Sequence, residues 1–364
     1  MRRLSIDYTS LDTQEKNLYL IGCNFFHDQT TYSVGSTPIS VAVADVNNDN
    51  KPDIIVASNG SNTVGVLLNA DNGIFNTQVT YSVGEKPISV AVVDVNNDNK
   101  PDIIVANSGS NNVGVLLNTG NGIFNAQSTY SVGDYPMPVA VADVNNDNKP
   151  DIVVGNYGLN NVGVLLNAGN GTFSAQTTYS VDPYVYSVVV ADMNNDNQPD
   201  IVIAHLHWNV VGVLLNAGQG TFNAETTYSI VSGPISVAVV DVNSDRKPDI
   251  VVANYLSGGV GVLLNADNGT FNAQTIYSVG NKSRSVAVAD MNSDNKPDIV
   301  VANYGSNTVG VFLNTGNGIF NTQVTYSVGE KPISVVVVDV NNDNKPDIVV
   351  VNYGSNSVTV LLRC

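Results

Sequence analysis

Seven copies of one loop motif, an unbroken 49-residue spacing between them and four short β-rich runs in each copy predict an all-β chain. The fold they specify is a seven-bladed β-propeller of four-stranded antiparallel blades, its ring closed by the N-terminal strand joining the C-terminal blade. The motif, Asp-x-Asn-(Asn/Ser)-Asp-x-x-Pro-Asp, begins at Asp45, Asp94, Asp143, Asp192, Asp241, Asp290 and Asp339. A length of 364 residues would ordinarily suggest two or three domains. Equal intervals without one insertion override that prior, because they mean that a single unit was copied.

The first copy shows the elements in order. Residues 39–44 are a short apolar run with small side chains, followed by the 45–53 loop and a second apolar run at 54–57. A polar turn at 58–62 leads to a third run at 64–68. Asn72-Gly73 then gives a two-residue hairpin signal, and 75–83 is the expected fourth strand. Small residues such as Ala42, Ala91 and Ala140 suit a first strand beside a narrow central channel. A parallel β-helix is the competing repeat fold, but its rungs are shorter than this repeat and rarely carry Asn-Gly hairpins.

The two ends of the chain complete each other. Residues 1–23 stand outside the frame as an N-terminal extension. Phe26 lies one repeat length before Phe75, so 26–34 is an orphan fourth strand. The last copy, 332–364, stops after its third strand. The orphan is therefore expected to complete blade seven within one domain, 24–364, removing two open sheet edges. In this frame Cys364 falls at the place of Ala70 and Cys23 at that of Asn72, on one hairpin tip. A Cys23–Cys364 disulfide locking the ring is the expectation, with two separate thiols as the alternative; the bond would require an oxidising compartment.

The loop supplies hard oxygen donors at alternating positions, as calcium requires. In the first loop Asp45, Asn47 and Asp49 offer side-chain oxygens, Lys51 its backbone carbonyl, and Asp53 a closing carboxylate. The same positions hold Asp94, Asn96, Asp98, Lys100 and Asp102 in the second loop, and Asp143, Asn145, Asp147, Lys149 and Asp151 in the third. Asp192, Asn194, Asp196, Gln198 and Asp200 form the fourth set, and Asp241, Asn243, Asp245, Lys247 and Asp249 the fifth. Asp290, Asn292, Asp294, Lys296 and Asp298 follow, then Asp339, Asn341, Asp343, Lys345 and Asp347. About seven calcium ions, one per blade, are expected. An Asx-rich turn that binds nothing is the plainer alternative. Magnesium fits less well, since it demands a tight octahedron and keeps its waters. The sixth position, Asn50 in the first loop, should be left-handed, which Asn tolerates. Arg246 at that place makes the fifth site the expected weakest.

The same carboxylates account for the charge. Loop aspartates are 21 of the 32 acidic residues in a chain of net charge −17, and seven divalent ions would bring it to about −3. The acidic field and the lack of any basic run exclude nucleic acid as an expected partner. No apolar run approaches the roughly 20 residues that span a bilayer, so the chain is not expected to cross a membrane. The first twenty residues carry Arg2, Arg3, Asp7, Asp12, Glu15 and Lys16 and lack the apolar core of a signal peptide.

The Asp-x-Asn-x-Asp-x-x-x-Asp loop between two apolar strands, with a nearby Phe and Gly, resembles the FG-GAP or VCBS repeat of integrin α-subunit propellers. The resemblance covers about residues 24–364 and is similar also to Psathyrella-type fungal lectins and to propellers attached to some secreted lyases and phospholipases. It implies calcium on one face and ligand recognition on the other. Those relatives commonly have glycine at the sixth loop position, where this chain has Asn or Arg. Extracellular modules of this kind often bind calcium only around 10⁻⁴ to 10⁻³ M.

Departures from the repeat mark the candidate ligand site. The turn between second and third strands reads Asn303-Tyr304-Gly305-Ser306-Asn307 in the sixth copy but His205-Leu206-His207-Trp208-Asn209 in the fourth. The segment entering that blade reads Asp182-Pro183-Tyr184-Val185-Tyr186, and the preceding blade adds Asp134, Tyr135 and Met137. Tyr135, Tyr184, Tyr186, His205, His207 and Trp208 are thus the candidate ligand-binding residues, at the end opposite the Asp loops. Drift in exposed turns is the alternative. Tyr157, Tyr255, Tyr304 and Tyr353 could instead form several equivalent shallow sites. No nucleophile elbow, His-Cys pairing or isolated carboxylate pair lies outside the loops, so an enzyme is not expected. The reading is an extracellular or cell-surface recognition or adhesion module for a glycan or glycoprotein. A polysaccharide lyase or hydrolase using the blade-four turns, and a self-associating structural protein, are the alternatives.

Overall fold

The computed structural model describes residues 25–27 and 29–364, and every regular element among them is a strand. In blade one, Pro38–Ala44, Asp53–Ser58, Thr63–Leu67 and Val79–Ser82 pair in that order as an antiparallel sheet. The arrangement recurs from the inner strands Pro87–Val93, Pro136–Ala142, Val185–Ala191, Pro234–Val240, Ser283–Ala289 and Pro332–Val338, giving seven four-stranded sheets among the described residues. Each inner strand lies against that of the next blade, and the seventh lies against the first. The chain is a closed seven-bladed propeller.

Burial explains why the second strand of each blade is apolar throughout instead of alternating. Every residue of Asp53–Ser58 is buried. Ile54 and Val56 pack on Val349 and Val351 of blade seven, while Ile55 and Ala57 pack on Ile103 and Val105 of blade two. A strand covered on both faces needs apolar side chains at both parities. The core is accordingly a ring of layers between blades, and no blade can bury its own faces alone.

The ends of the chain meet as the frame requires. Thr30–Ser33 pairs antiparallel with Ser357–Leu361, Thr30 opposite Val360 and Ser33 opposite Ser357. Phe26 bridges Arg363 and sets its ring edge-on to Tyr326, with centroids 4.8 Å apart. Cys364 N–H donates to the Phe25 carbonyl at 3.2 Å. Cys23 and the rest of the extension lie outside the described residues.

The fourth run departs from the expected single strand over 75–83. It is divided: Ile74–Phe75 pairs with Asn69–Asp71 as a short ribbon, and only Val79–Ser82 forms the outer strand. Asn72 and Gly73, at φ 50° and 72°, fold the ribbon back, and Asn76 N–H bonds to Leu68 O at 2.8 Å. The break also carries a glutamine into the blade. Gln127 accepts from Asn107 Nδ2 at 3.2 Å and lies over Gly114, where any Cβ would collide with it. This explains the glycine in the third strand, a residue otherwise unfavourable there. Among the described residues no helix is long and apolar enough to cross a membrane.

Candidate functional site

Each Asp loop is organised from within by backbone N–H groups. Asp45 accepts from Asp49 N–H at 3.1 Å and from Asn50 N–H at 2.7 Å, and Asp49 accepts from Lys51 N–H at 3.0 Å. Asp53 is fully buried and accepts from Val46 and Asn69 N–H at 2.9 and 2.8 Å. Asn69 in turn donates to Val340 O of blade seven at 2.7 Å, and Asn118 makes the corresponding bond to Val46 O of blade one. The loop end of the propeller is therefore tied both within and between blades. The sixth position is left-handed in all seven loops, with φ between 61° and 67°, Arg246 at the upper limit. For an arginine this conformation costs about 1–2 kcal/mol. The fourth position is left-handed too, from Asn48 at 59° to Ser244 at 64°, a second reason for the Asn-rich sequence.

The donor set suits a hard cation: three carboxylates, one amide oxygen and a backbone carbonyl per loop. Burial pushes the carboxyls of Asp53, Asp102, Asp151, Asp200, Asp249, Asp298 and Asp347 up to about 6 against the pull of two N–H bonds. The negative charges of the first and fifth loop positions push the same way, so positive charge beside the loop would relieve them. Part of it is already present. Lys100 Nζ lies 3.2 Å from Asp98 and Lys149 Nζ 3.1 Å from Asp147. The fourth loop, with Gln198, has no such lysine. Among the described residues no three acidic, histidine or cysteine side chains converge as a ready cage, so the fit to calcium rests on donor chemistry.

The opposite end is formed by the turns between second and third strands and the segments that enter each blade. Leu206 N–H bonds to Tyr184 O at 3.3 Å and Tyr157 N–H to Tyr135 O at 3.1 Å, seating each turn on its neighbour. Tyr135 and Tyr184 have φ 51° and 67°, which directs them outward; they are 57% and 36% exposed, and Trp208 is 54% exposed. Tyr184 meets His207 edge-on at 4.9 Å and Tyr157 at 5.4 Å, and Tyr157 also meets Tyr186 at 5.6 Å. Four of these side chains are thus one aromatic cluster. Tyr255, Tyr304 and Tyr353 join Tyr186 and His207 around one cavity of about 390 Å³, so three of the four recurrent tyrosines line a common cavity, while Tyr157, Tyr135, Tyr184 and Trp208 are not among its lining residues.

His205 is not part of that surface. Its ring is fully buried, Nδ1 lies 3.1 Å from Pro183 O, and Nε2 lies 2.6 Å from Glu225 Oε1. Glu225 Oε2 accepts from Asp182 N–H at 2.7 Å. Pro183 offers only a lone pair, so Nδ1 carries a hydrogen and one further proton joins Nε2 to the carboxylate. Blades two, three, five and six use Asn and Gln here, as in Asn156 Nδ2 to Gln176 Oε1 at 3.2 Å. His205 and Glu225 are a coupled exchange within the blade. Their paired departure from the 49-residue frame was the sequence signal, and Glu225 is the partner that sequence reasoning missed.

Removing one partner of this buried pair is expected to cost about 3–5 kcal/mol, for His205→Ala and Glu225→Ala alike. The double variant His205→Asn/Glu225→Gln, which restores the pair of the other blades, should lose far less than either. Urea denaturation of the three variants checks this; additive losses would show that the residues act independently.

Sequence reasoning also missed the ring lining the channel mouth. One position per blade contributes Ile39, Ile88, Met137, Tyr186, Ile235, Arg284 and Ile333. Below it Ser40 and its equivalents bridge blades, Ser40 Oγ accepting from Val90 N–H at 3.3 Å. Aligning the repeats at this position exposes Arg284 as the charged exception. Its guanidinium stands over the rings of Tyr186 and Tyr255, at 5.9 and 5.7 Å.

Comparison with known proteins agrees with this architecture. The FG-GAP-like repeat matches residues 45–105, 94–154, 143–203, 199–252, 241–301 and 290–350. No curated protein sequence matches the chain. Among solved structures, BBS1N in complex with ARL6DN superposes with TM-score 0.67 at 11% identity, over 93% of this chain and 97% of that one. Virginiamycin B lyase from Staphylococcus aureus gives 0.66 at 12% identity, over 93% and 99%. An Agrocybe aegerita lectin that recognises non-reducing terminal N-acetylglucosamine gives 0.57 at 20% identity, over 82% and 90%. At such identities these likenesses concern the fold alone. The repeat matches run through most of the sequence, and the chain belongs to the FG-GAP-like repeat family.

Proposed function

We propose that this propeller is a recognition or adhesion module, working outside the cell or at its surface, that binds a glycan or glycoprotein at the end opposite its Asp loops. The observation that carries the reading is the single cavity of about 390 Å³ walled by Tyr186, His207, Tyr255, Tyr304 and Tyr353. Aromatic walls with a few polar tips suit the apolar faces and hydroxyls of a sugar ring. The lectin fold likeness supports this. His205 argues against a hydrolytic use of the blade-four turns, since both ring nitrogens are engaged inside the blade.

Calcium belongs to this reading as a stabiliser. Asp45, Asn47, Asp49, the Lys51 carbonyl and Asp53 would hold one ion, and the equivalent residues would do so in the other loops. The ion would neutralise the loop carboxylates and fix the first two strands, without touching the ligand. On a glycan array, binding is expected in calcium, with loss or weakening in EDTA, and Trp208→Ala should weaken it if the exposed indole extends the site. A protein that binds no glycan in either condition would refute the reading.

The Cys23–Cys364 clasp is the third part. Cys364 N–H bonds to the carbonyl of Phe25 at 3.2 Å, and Phe25 follows Cys23 by two residues in the sequence, which supports the pairing. In the chain-entropy account, closing so long a loop would stabilise the ring by about 6 kcal/mol. Intact mass under alkylating conditions without reductant should show no modified thiol; two alkylated cysteines in native protein would contradict the clasp.

A further inference from the structure

Arg284 breaks the channel-mouth ring in a way that folding does not require. Four other blades place isoleucine at this position, one methionine and one tyrosine. In a copied unit, a charge set among apolar equivalents is a local inconsistency of the kind that marks functional positions. The side chain is half-buried in the cavity wall. Among the described residues it has no carboxylate partner and no hydrogen-bond acceptor, whereas the loop lysines 100, 149 and 296 sit on aspartates. Its attractive contacts are the faces of Tyr186 and Tyr255, which compensate a desolvated guanidinium only in part. A guanidinium held this way retains its charge and presents its N–H fork to the cavity.

A second cation reinforces it. Lys282 Nζ lies 5.6 Å from the centroid of the same Tyr255 ring. The segment entering blade six thus brings two positive charges to one edge of the cavity. The aspartate-rich loops responsible for the overall negative charge lie at the other end of the blades.

We propose that Arg284 is the anion-binding group of this cavity and takes the carboxylate of an acidic sugar residue, a uronic or sialic acid, whose ring lies against the tyrosines. The planar fork matches a carboxylate in two parallel hydrogen bonds. A volume of about 390 Å³ accommodates one or two sugar rings and is small for a folded peptide segment. The inference rests on the glycan reading above and narrows it to a ligand class.

The test uses the full chain and titrates uronic-acid-terminated, sialic-acid-terminated and neutral oligosaccharides, together with analogues whose carboxyl is reduced to an alcohol. Arg284→Ile restores the residue of four other blades, so its fold should survive, as checked by its melting temperature. The wild type should prefer one or both acidic sets, and the two sets separate the sources of the carboxylate. Arg284→Ile should lose at least about thirtyfold in affinity for the acidic ligand and little for neutral ones, with Arg284→Lys between. Neutral glycans bound as well as acidic ones and unaffected by Arg284→Ile would overturn this inference and leave the proposed function standing. An acidic preference that survives Arg284→Ile would also overturn it. No glycan bound at all would overturn both.

Discussion

Each blade carries one carboxylate with no exposure to water, and both of its oxygens are taken by backbone N–H groups from different parts of the blade. Asp102 accepts from Val95 at 3.0 Å and from Asn118 at 2.7 Å, joining the start of its loop to the end of the third strand. Asn118 then donates its side-chain N–H to Pro101 O and, across the blade boundary, to Val46 O. A buried anion satisfied in this way is strongly constraining, because any displacement leaves a donor and an acceptor unpaired in a region without water. The buried carboxylate with its two N–H donors recurs in all seven blades and the asparagine bond across the blade boundary in six, and together they fix the loop end of the ring. In blade seven Arg363 N–H takes the place of the asparagine and bonds Asp347 at 2.7 Å.

From that end the packing follows. The second strand begins at the buried aspartate and runs between two neighbouring blades, so its apolar residues serve two interfaces at once. A stack of such blades has two unsatisfied ends unless it closes, and Thr30–Ser33 supplies the missing outer strand. The glycines of the third strand, the glutamines beside the outer strand and the asparagines at the end of the second strand form a further repeated set. At the other end the same asparagines also hold turn backbone, as where Gly133 N–H bonds Asn156 Oδ1 at 3.0 Å, while exposed side chains such as Tyr135 and Trp208 stand outside these networks.

Periodicity made the fold legible: the 49-residue frame located the loops, the blades and the strand at Phe26 that closes the ring. It was less informative about individual contacts. The outer run was read as one strand because Phe75 and Tyr81 both suit β structure, while the break between them depends on a glutamine packing over a glycine from another strand. His205 read as a surface histidine because its turn is unusual; its burial depended on Glu225, twenty residues away and one strand over. Arg284 was visible only in the column formed by the seven channel-mouth residues, since nothing in its own neighbourhood distinguishes it. Along the chain the tyrosines of the repeated turns show no relation to one another, whereas the curvature of the ring brings Tyr255, Tyr304 and Tyr353 around one cavity.

The loops and the cavity consequently have separable roles: the ninth loop residue is part of the framework whether or not a cation is bound, and the exposed carboxylates are available to an ion. Urea denaturation in EDTA at pH 7.5, comparing Asp102→Asn with Asp98→Asn, tests this most directly. Asp102→Asn keeps the shape but replaces one accepting oxygen by a donor facing an N–H, so metal-free stability should fall by about 1–3 kcal/mol. Asp98 is exposed and pairs only with Lys100, so its variant should change little. Equal losses, or a loss at Asp102 that appears only when calcium is present, would contradict the account.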